Sequence, residues 1–169
     1  MRIFLSGFMG CGKTSVGSEL SMKTGIPFYD LDQLIEQFEN REISEIFDIK
    51  GEEYFRKIET RLLKETLDNK TFVIALGGGT TLNPENLSIV LSNGILFYLH
   101  ANIGILLERL SKKTGRPLID SFTSKIRRKE SVNNLFKQRE PIYAKAHHKV
   151  DVTNKTVHQI CLEILKKLK

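Results

Sequence analysis

The chain has few cysteines, no tryptophan and no long apolar stretch. Its 2 cysteines among 169 residues, Cys11 and Cys161, cannot build a disulfide framework, and this usage favours the cytoplasm. No apolar run approaches the roughly 20 residues that span a bilayer. Gly7, Gly10 and Gly12 interrupt the first apolar stretch too early for a secretion signal, so we expect none. These absences exclude a membrane protein and a disulfide-stapled secreted domain.

The chain also has fewer acidic residues than basic ones. The chain has 26 lysines and arginines against 20 aspartates and glutamates, which gives a net charge of +6. The densest basic stretch, residues 125–129, is short and contains no aromatic residue, so we interpret it as a solvated helix face. Because the sequence lacks RNA-binding and zinc-finger signatures, we expect no nucleic-acid partner. The basic excess instead suits small anionic ligands.

Short apolar runs alternate with amphipathic segments along the chain. The apolar runs predict five strands, over residues 2–6, 28–31, 72–76, 95–99 and 150–152. The segments between them predict helices, including 13–24, a longer one through 55–62, 126–139 and a last one from residue 157. The polar stretch 111–124 predicts a mobile loop. The alternation indicates a single α/β domain over residues 1–169, with helices on both faces of a parallel sheet.

Residues 7–14, GFMGCGKT, match the phosphate-loop pattern G-x-x-x-x-G-K-[ST] between a predicted strand and a predicted helix. The glycines let backbone N–H groups turn towards phosphate oxygens, and the following helix adds its positive end. Lys13 supplies a cation for the β- and γ-phosphates, and Thr14 supplies a hard oxygen ligand for Mg²⁺. The pattern predicts a nucleoside triphosphate site.

Two further polar clusters follow predicted strands, and each has two interpretations. Asp30 and Asp32 either hold a metal and orient an acceptor hydroxyl, or Asp32 caps the next helix. Residues 77–79, GGG, either let the backbone approach a ligand closely or form a loose turn.

Three arginines are candidates for anion binding. Arg56 and Glu59 are three residues apart on one predicted helix, so they can pair and hold the guanidinium in place. Arg116 lies in the polar loop, and Arg139 precedes Pro141, which we expect to end or kink its helix. An arginine on a loop that closes over phosphates stabilises transition-state charge. The alternatives are an isolated surface ion pair for Arg56 and a solvated side chain for Arg116 and Arg139.

Several segments in the same order resemble the shikimate kinase family. They cover most of the chain, at residues 7–17, 28–36, 44–59, 77–79, 116–119 and 139–146. The phosphate loop is widespread, but the succession D-x-D, F-R-x-x-E, G-G-G, R-P-L and R-x-P-x-Y is specific. The resemblance implies a nucleoside-monophosphate-kinase-like P-loop fold, with a five-stranded parallel sheet in the order 2-3-1-4-5. It also implies transfer of the γ-phosphate of ATP to the 3-hydroxyl of shikimate.

The resemblance further implies a role for each motif residue. The residues expected to contact ATP are Gly10, Cys11, Gly12, Lys13, Thr14, Ser15, Arg109 and Arg116. Those expected to contact shikimate are Asp32, Arg56, Gly78, Gly79 and Arg139. Thr14 and Asp30 would hold Mg²⁺, and Lys13, Asp32 and Arg116 would act in catalysis. Residues 31–60 would bind the acceptor, residues 111–124 would form a lid, and the enzyme would be a monomer.

Two alternatives remain at the level of the sequence. The nearest is a kinase of the same fold that acts on gluconate or a nucleoside monophosphate, because gluconate also carries a carboxylate and hydroxyls. The other, from a different class, is a nucleic-acid-stimulated NTPase or a nucleotide-sensing module.

Overall fold

Five parallel strands form one sheet in the computed structural model, which describes residues 1–111 and 125–168. They are β1 (Arg2–Ser6), β2 (Phe28–Asp30), β3 (Phe72–Ala75), β4 (Ile95–His100) and β5 (His148–Asp151), in the order β2-β3-β1-β4-β5. On either side of β1, Ile3 lies opposite Val73 and Ile95. The predicted α/β fold and strand order are confirmed.

Helices connect the strands and cover the sheet. They are α1 (Lys13–Thr24), α2 (Leu31–Glu39), α3 (Ile43–Thr66), α4 (Pro84–Asn93), α5 (Ile103–Ser111), α6 (Lys125–Tyr143) and α7 (Val157–Lys167). A short 3-10 helix (Thr80–Leu82) follows β3. The backbone of α3 leaves the helical region at Gly51, where φ is 80° and ψ is 168°. This kink divides α3 into two segments, and the second contains the helix predicted through residues 55–62.

Alternate side chains of β1 enter two separate apolar cores. Ile3 and Leu5 belong to the core that contains Val16 and Leu20 of α1. Phe4 belongs to the other core, which contains residues of α2, α3 and α4. Both faces of the central strand are therefore buried, which explains its continuous apolar sequence.

The parallel arrangement places three loops at one edge of the sheet. Because β2, β3 and β1 are neighbours and run in the same direction, the segments that follow them meet at their carboxyl ends. Those segments are the phosphate loop after β1, the start of α2 after β2 and residues 77–79 after β3. The three segments that carry most of the predicted site residues therefore lie together at the carboxyl ends of the strands.

The observed elements differ from the prediction at some ends. Leu31 begins α2 instead of ending β2, because the side chain of Asp30 caps the helix there. Helix α6 continues past Pro141 to Tyr143, two residues beyond the proline that was expected to end or kink it. Strand β5 begins at His148, two residues before the predicted 150–152. Residues 112–124, which make up nearly all of the predicted lid, lie outside the described residues.

Neither residues 1–111 nor residues 125–168 contain a helix that is both long and apolar enough to cross a bilayer.

The last helix, α7, begins with a capping box. The hydroxyl of Thr156 accepts from the N–H of Gln159 at 3.3 Å, and the Gln159 side chain accepts from the N–H of Thr156 at 2.9 Å. Replacing Thr156 with Ala removes one of these bonds and should lower the free energy of unfolding by about 1 kcal/mol. Urea titration measures the loss. Thr156→Ser keeps a hydroxyl and should restore most of it, and equal midpoints for the Ala variant and the original would contradict the role.

Candidate active site

The phosphate loop, residues 7–12, turns tightly between β1 and α1. At Gly7 φ is 141°, and a Cβ there would lie 2.6 Å from the carbonyl oxygen of Leu99. Gly12, with φ of 99°, precedes α1 and has no side chain to cap it. The N–H groups of the first turn are therefore left for an anion, which the positive end of the helix also favours.

Two cationic side chains lie against this loop. The Nζ of Lys13 donates to the carbonyl oxygens of Gly7 at 2.9 Å and Phe8 at 3.4 Å. The Nη1 of Arg109, in the last turn of α5, donates to the carbonyl of Gly10 at 3.3 Å. The loop thus presents backbone N–H groups and two positive charges to one side of the cleft, which is an arrangement that suits polyphosphate.

Strand β2 ends at Asp30, whose two carboxylate oxygens have different partners. Its Oδ2 accepts from the hydroxyl of Thr14 at 2.7 Å, and its Oδ1 accepts from the N–H of Asp32 at 3.1 Å. Asp30 is therefore the N-cap of α2, and the interpretation of Asp32 as the cap is wrong. Since Asp30 already satisfies the helix end, the carboxylate of Asp32 is left to line the cleft.

The Asp32 carboxylate lies in a partly buried setting with a second acid nearby. Burial, and then the charge of Asp30, raise the pKa of Asp32 to about 6 against the opposing charge of Lys13. A carboxylate with this pKa is ionised at neutral pH but accepts a proton readily. That property suits a group that orients or deprotonates a hydroxyl.

The glycine turn, residues 77–79, packs tightly against functional side chains. A Cβ on Gly77 would lie 2.7 Å from the Oδ1 of Asp32, and one on Gly79 would lie 2.7 Å from the Nη2 of Arg56. This tight packing against side chains argues against a loose turn, while the close approach of the backbone to a ligand stays a prediction. Any larger residue at either position would displace a charged group from the cleft.

Arg56 is held by carboxylates on its own helix. Its Nη1 donates to the Oε2 of Glu59 at 2.9 Å, and its Nη2 donates to the Oε1 of Glu52 at 3.1 Å. Glu59 is fully buried, and its other oxygen accepts from the hydroxyl of Thr80 at 2.6 Å. A buried carboxylate with both oxygens satisfied is a fixed anchor, so the predicted pairing of Arg56 with Glu59 is present and rigidly supported.

Helix α6 directs two side chains at the carbonyl of Gly78. The Nη1 of Arg139 donates to this oxygen at 3.1 Å, and the hydroxyl of Tyr143 donates to it as well. The guanidinium of Arg139 is buried, yet its Nε has no partner among residues 1–111 and 125–168. A buried, unsatisfied donor on a cleft wall is ready for a ligand anion.

One cleft of about 790 Å³ collects these groups, a size typical of small-molecule sites. The predicted site residues that line it are Gly10, Cys11, Gly12, Lys13, Thr14, Ser15, Asp30, Asp32, Arg56, Gly78, Gly79, Arg109 and Arg139. The remaining one, Arg116, lies outside the described residues.

Sequence reasoning misses two residues that support the cleft, Thr80 and Tyr143. Thr80 carries no local signal, because only the fold brings it to Glu59, 21 residues away in the chain. Tyr143 does carry a signal, since it follows Arg139 by four residues and therefore shares its helix face.

A parallel sheet of this strand order, with its phosphate loop after the central strand, is the architecture of a P-loop kinase. The part of the cleft near Arg56 and Arg139, beyond the phosphate loop, leaves room for a small acceptor. Comparison with known proteins identifies the family within the P-loop kinases. The model of the shikimate kinase family matches residues 9–169. The chain belongs to the shikimate kinase family.

Individual relatives agree over nearly the whole chain. The sequence is 37% identical to a shikimate kinase from Caldanaerobacter subterraneus over 164 residues, covering 97% of this chain and 94% of the relative. The crystal structure of shikimate kinase from Aquifex aeolicus is 39% identical, with a TM-score of 0.84 over 99% of this chain and 96% of the other. A shikimate kinase from Acinetobacter baumannii in complex with shikimate is 32% identical, with a TM-score of 0.92 over 99% and 92%.

The raised pKa of Asp32 has a consequence for stability. Folding lifts this pKa from 3.8 to about 6, so the folded protein binds the proton more tightly and loses stability as the pH rises from about 4 to 6. Asp32→Asn removes that loss. The variant should be more stable than the original by about 1–3 kcal/mol above pH 6, and the difference should shrink towards pH 4.

Urea unfolding at a series of pH values measures this difference. The exposed Asp48, replaced with Asn, is the matched control and should leave the pH dependence unchanged. An Asp32→Asn protein that is no more stable than the original at pH 7 would contradict the described setting of this carboxylate.

Proposed function

We propose that this protein transfers the γ-phosphate of ATP to the 3-hydroxyl of shikimate, giving shikimate 3-phosphate and ADP, a step towards chorismate and the aromatic amino acids. One observation carries the proposal: the phosphate loop, the carboxylate of Asp32 and the arginines Arg56 and Arg139 line one cleft. Phosphoryl transfer requires mainly positioning and charge stabilisation, and this set supplies both.

ATP binds at the phosphate loop in this proposal. The N–H groups of residues 10–15 and the ammonium of Lys13 hold its phosphates, and Arg109 lies against the adenine. Lys13 now donates to loop carbonyls, which are weak partners for an ammonium. The β- and γ-phosphate oxygens are stronger ones, so we expect Lys13 to exchange its partners when the nucleotide binds.

Shikimate binds in the other half of the cleft, which residues 31–60 largely form. Its planar carboxylate is gripped by the guanidinium groups of Arg56 and Arg139, because a guanidinium fork matches a carboxylate better than an ammonium does. The backbone of Gly78 and Gly79 contacts the substrate. Asp32 accepts a hydrogen bond from the reacting hydroxyl and receives its proton during transfer.

The hydroxyl of Thr14 and the carboxylate of Asp30 fit a magnesium site. Mg²⁺ prefers oxygen ligands and binds through one or two protein groups together with phosphates and water. In our proposal Thr14 would be a ligand of the ion and Asp30 would hold a water molecule bound to it. When bound, the ion neutralises charge on the phosphate oxygens.

The domain arrangement completes the proposal. Residues 1–169 form a single kinase domain in which residues 111–124 act as a lid, and Arg116 closes over the phosphates to exclude water. The enzyme acts as a monomer in this proposal, as the resemblance implies. Both described cysteines are free, which supports a cytoplasmic location, and no nucleic acid or membrane takes part.

An acceptor panel tests the reaction. A coupled assay of ADP release is run with ATP and either shikimate, gluconate or a nucleoside monophosphate, each with and without Mg²⁺. We expect turnover with shikimate only, and only with the metal. Turnover with gluconate and none with shikimate would refute the proposal. ATP hydrolysis that RNA or DNA stimulates without any acceptor would point to the other class of protein.

The carboxylate clamp makes a separate prediction. Arg56→Lys keeps the charge but loses the fork, so the KM for shikimate should rise about tenfold or more while the KM for ATP stays within about twofold. Arg61→Lys is the matched control, because Arg61 is exposed on the same helix and pairs with Glu65. An unchanged shikimate KM in the Arg56 variant would remove this residue from the clamp.

A further inference from the structure

The carbonyl oxygen of Gly78 accepts two hydrogen bonds from the same helix. One comes from the Nη1 of Arg139 and the other from the hydroxyl of Tyr143, which lies one turn further along α6. A carbonyl oxygen has two lone pairs, so both donors are accommodated at once. Two fixed donors prevent the peptide group of Gly78 from rotating.

The held Nη1 determines which edge of Arg139 is left for a ligand. The guanidinium is planar, so fixing Nη1 on the carbonyl also fixes the direction of the edge formed by Nε and Nη2. That Nε is buried and has no partner in the part of the chain that the structure describes. An Nε–Nη2 edge presents two parallel donors, the arrangement that binds a carboxylate in bidentate fashion.

Tyr143 is well placed to keep the carbonyl in position. The residue is only 1% exposed, and its ring stacks on that of Tyr98 with centroids 5.3 Å apart. Burial raises the pKa of Tyr143 to about 12, so its hydroxyl stays protonated and donates throughout the working range of pH.

We propose that Tyr143 is a positioning residue of the acceptor site, which acts through the carbonyl of Gly78 to orient the guanidinium of Arg139 for the substrate carboxylate. The inference rests on the proposed function, because it takes Arg139 as part of the shikimate clamp. It gives the spacing in the motif R-x-P-x-Y a physical reason, because side chains four residues apart share a helix face and here reach one oxygen.

The chain contains a matched control for the test. Tyr98 is also 1% exposed and stacks on Tyr143, but its hydroxyl has no partner among residues 1–111 and 125–168. Phe at either position keeps the ring and removes one hydroxyl. Only Tyr143→Phe removes a bond to Gly78.

Steady-state kinetics with shikimate and ATP separate the two variants. We expect Tyr143→Phe to raise the KM for shikimate about three- to tenfold, with the kcat and the KM for ATP within about twofold of the original. Tyr98→Phe should leave all three constants within about twofold. A merely structural role for Tyr143 would change the unfolding midpoint without this selective change in one KM.

A double-mutant cycle with Arg139→Ala decides whether the effect passes through the arginine. If it does, the hydroxyl has nothing left to orient, and Tyr143→Phe should change the shikimate KM by less than about twofold in that background. An undiminished effect there, or equal effects of the two Phe variants, would overturn the inference. Failure of the proposed function itself would be distinguishable, because the original protein would then show no turnover with shikimate.

Discussion

The acceptor half of the cleft depends on a turn that has no side chains. Each of its three glycines meets a different functional residue: Gly77 lies against Asp32, Gly78 accepts from Arg139, and Gly79 lies under Arg56. At Gly77 and Gly79 the charged groups approach the backbone to distances that a Cβ would prevent, whereas at Gly78 the carbonyl oxygen is the point of contact. The conformation of this turn therefore determines the orientation of the Asp32 carboxylate and of both guanidinium groups.

Charge in this cleft is held at a cost to stability. Asp32 has a raised pKa because the fold keeps it partly buried beside Asp30, and the protein would be more stable with a neutral amide there. Glu59 is an instructive contrast. It is fully buried, but Arg56 and Thr80 satisfy its two oxygens, so the carboxylate serves as an anchor and not as a reactive group. The same type of side chain thus takes two roles that its partners decide.

The sequence predicted much of this arrangement because the relevant signals are local. The phosphate loop, the pairing of Arg56 with Glu59 and the capping box of α7 all lie within a few residues of chain, so spacing alone indicates them. The sheet order came from the resemblance to the shikimate kinase family. What the sequence could not predict is contact between distant segments. The hydrogen bond between Thr80 and Glu59 is an example, because neither residue type indicates a partner on another element.

The ends of elements were less predictable for a different reason. The assignment of Leu31 to a strand failed because a capping oxygen from Asp30 competes with strand pairing, and apolar pattern contains no information about that competition. Pro141 was expected to end or kink helix α6, and the helix continues for two residues beyond it. Pattern fixes which face of an element is buried, whereas a single hydrogen bond decides where the element stops.

The kink at Gly51 divides α3 into two units that need not melt together. The first unit carries Ile43 and Phe47, which line the cleft, and the second carries Arg56 and its anchor Glu59. Helical cooperativity weakens where the backbone leaves helical dihedrals, so local opening of the first unit does not require opening of the second. The kink thus separates the part of α3 that contributes to the apolar wall of the cleft from the part that holds the charged clamp.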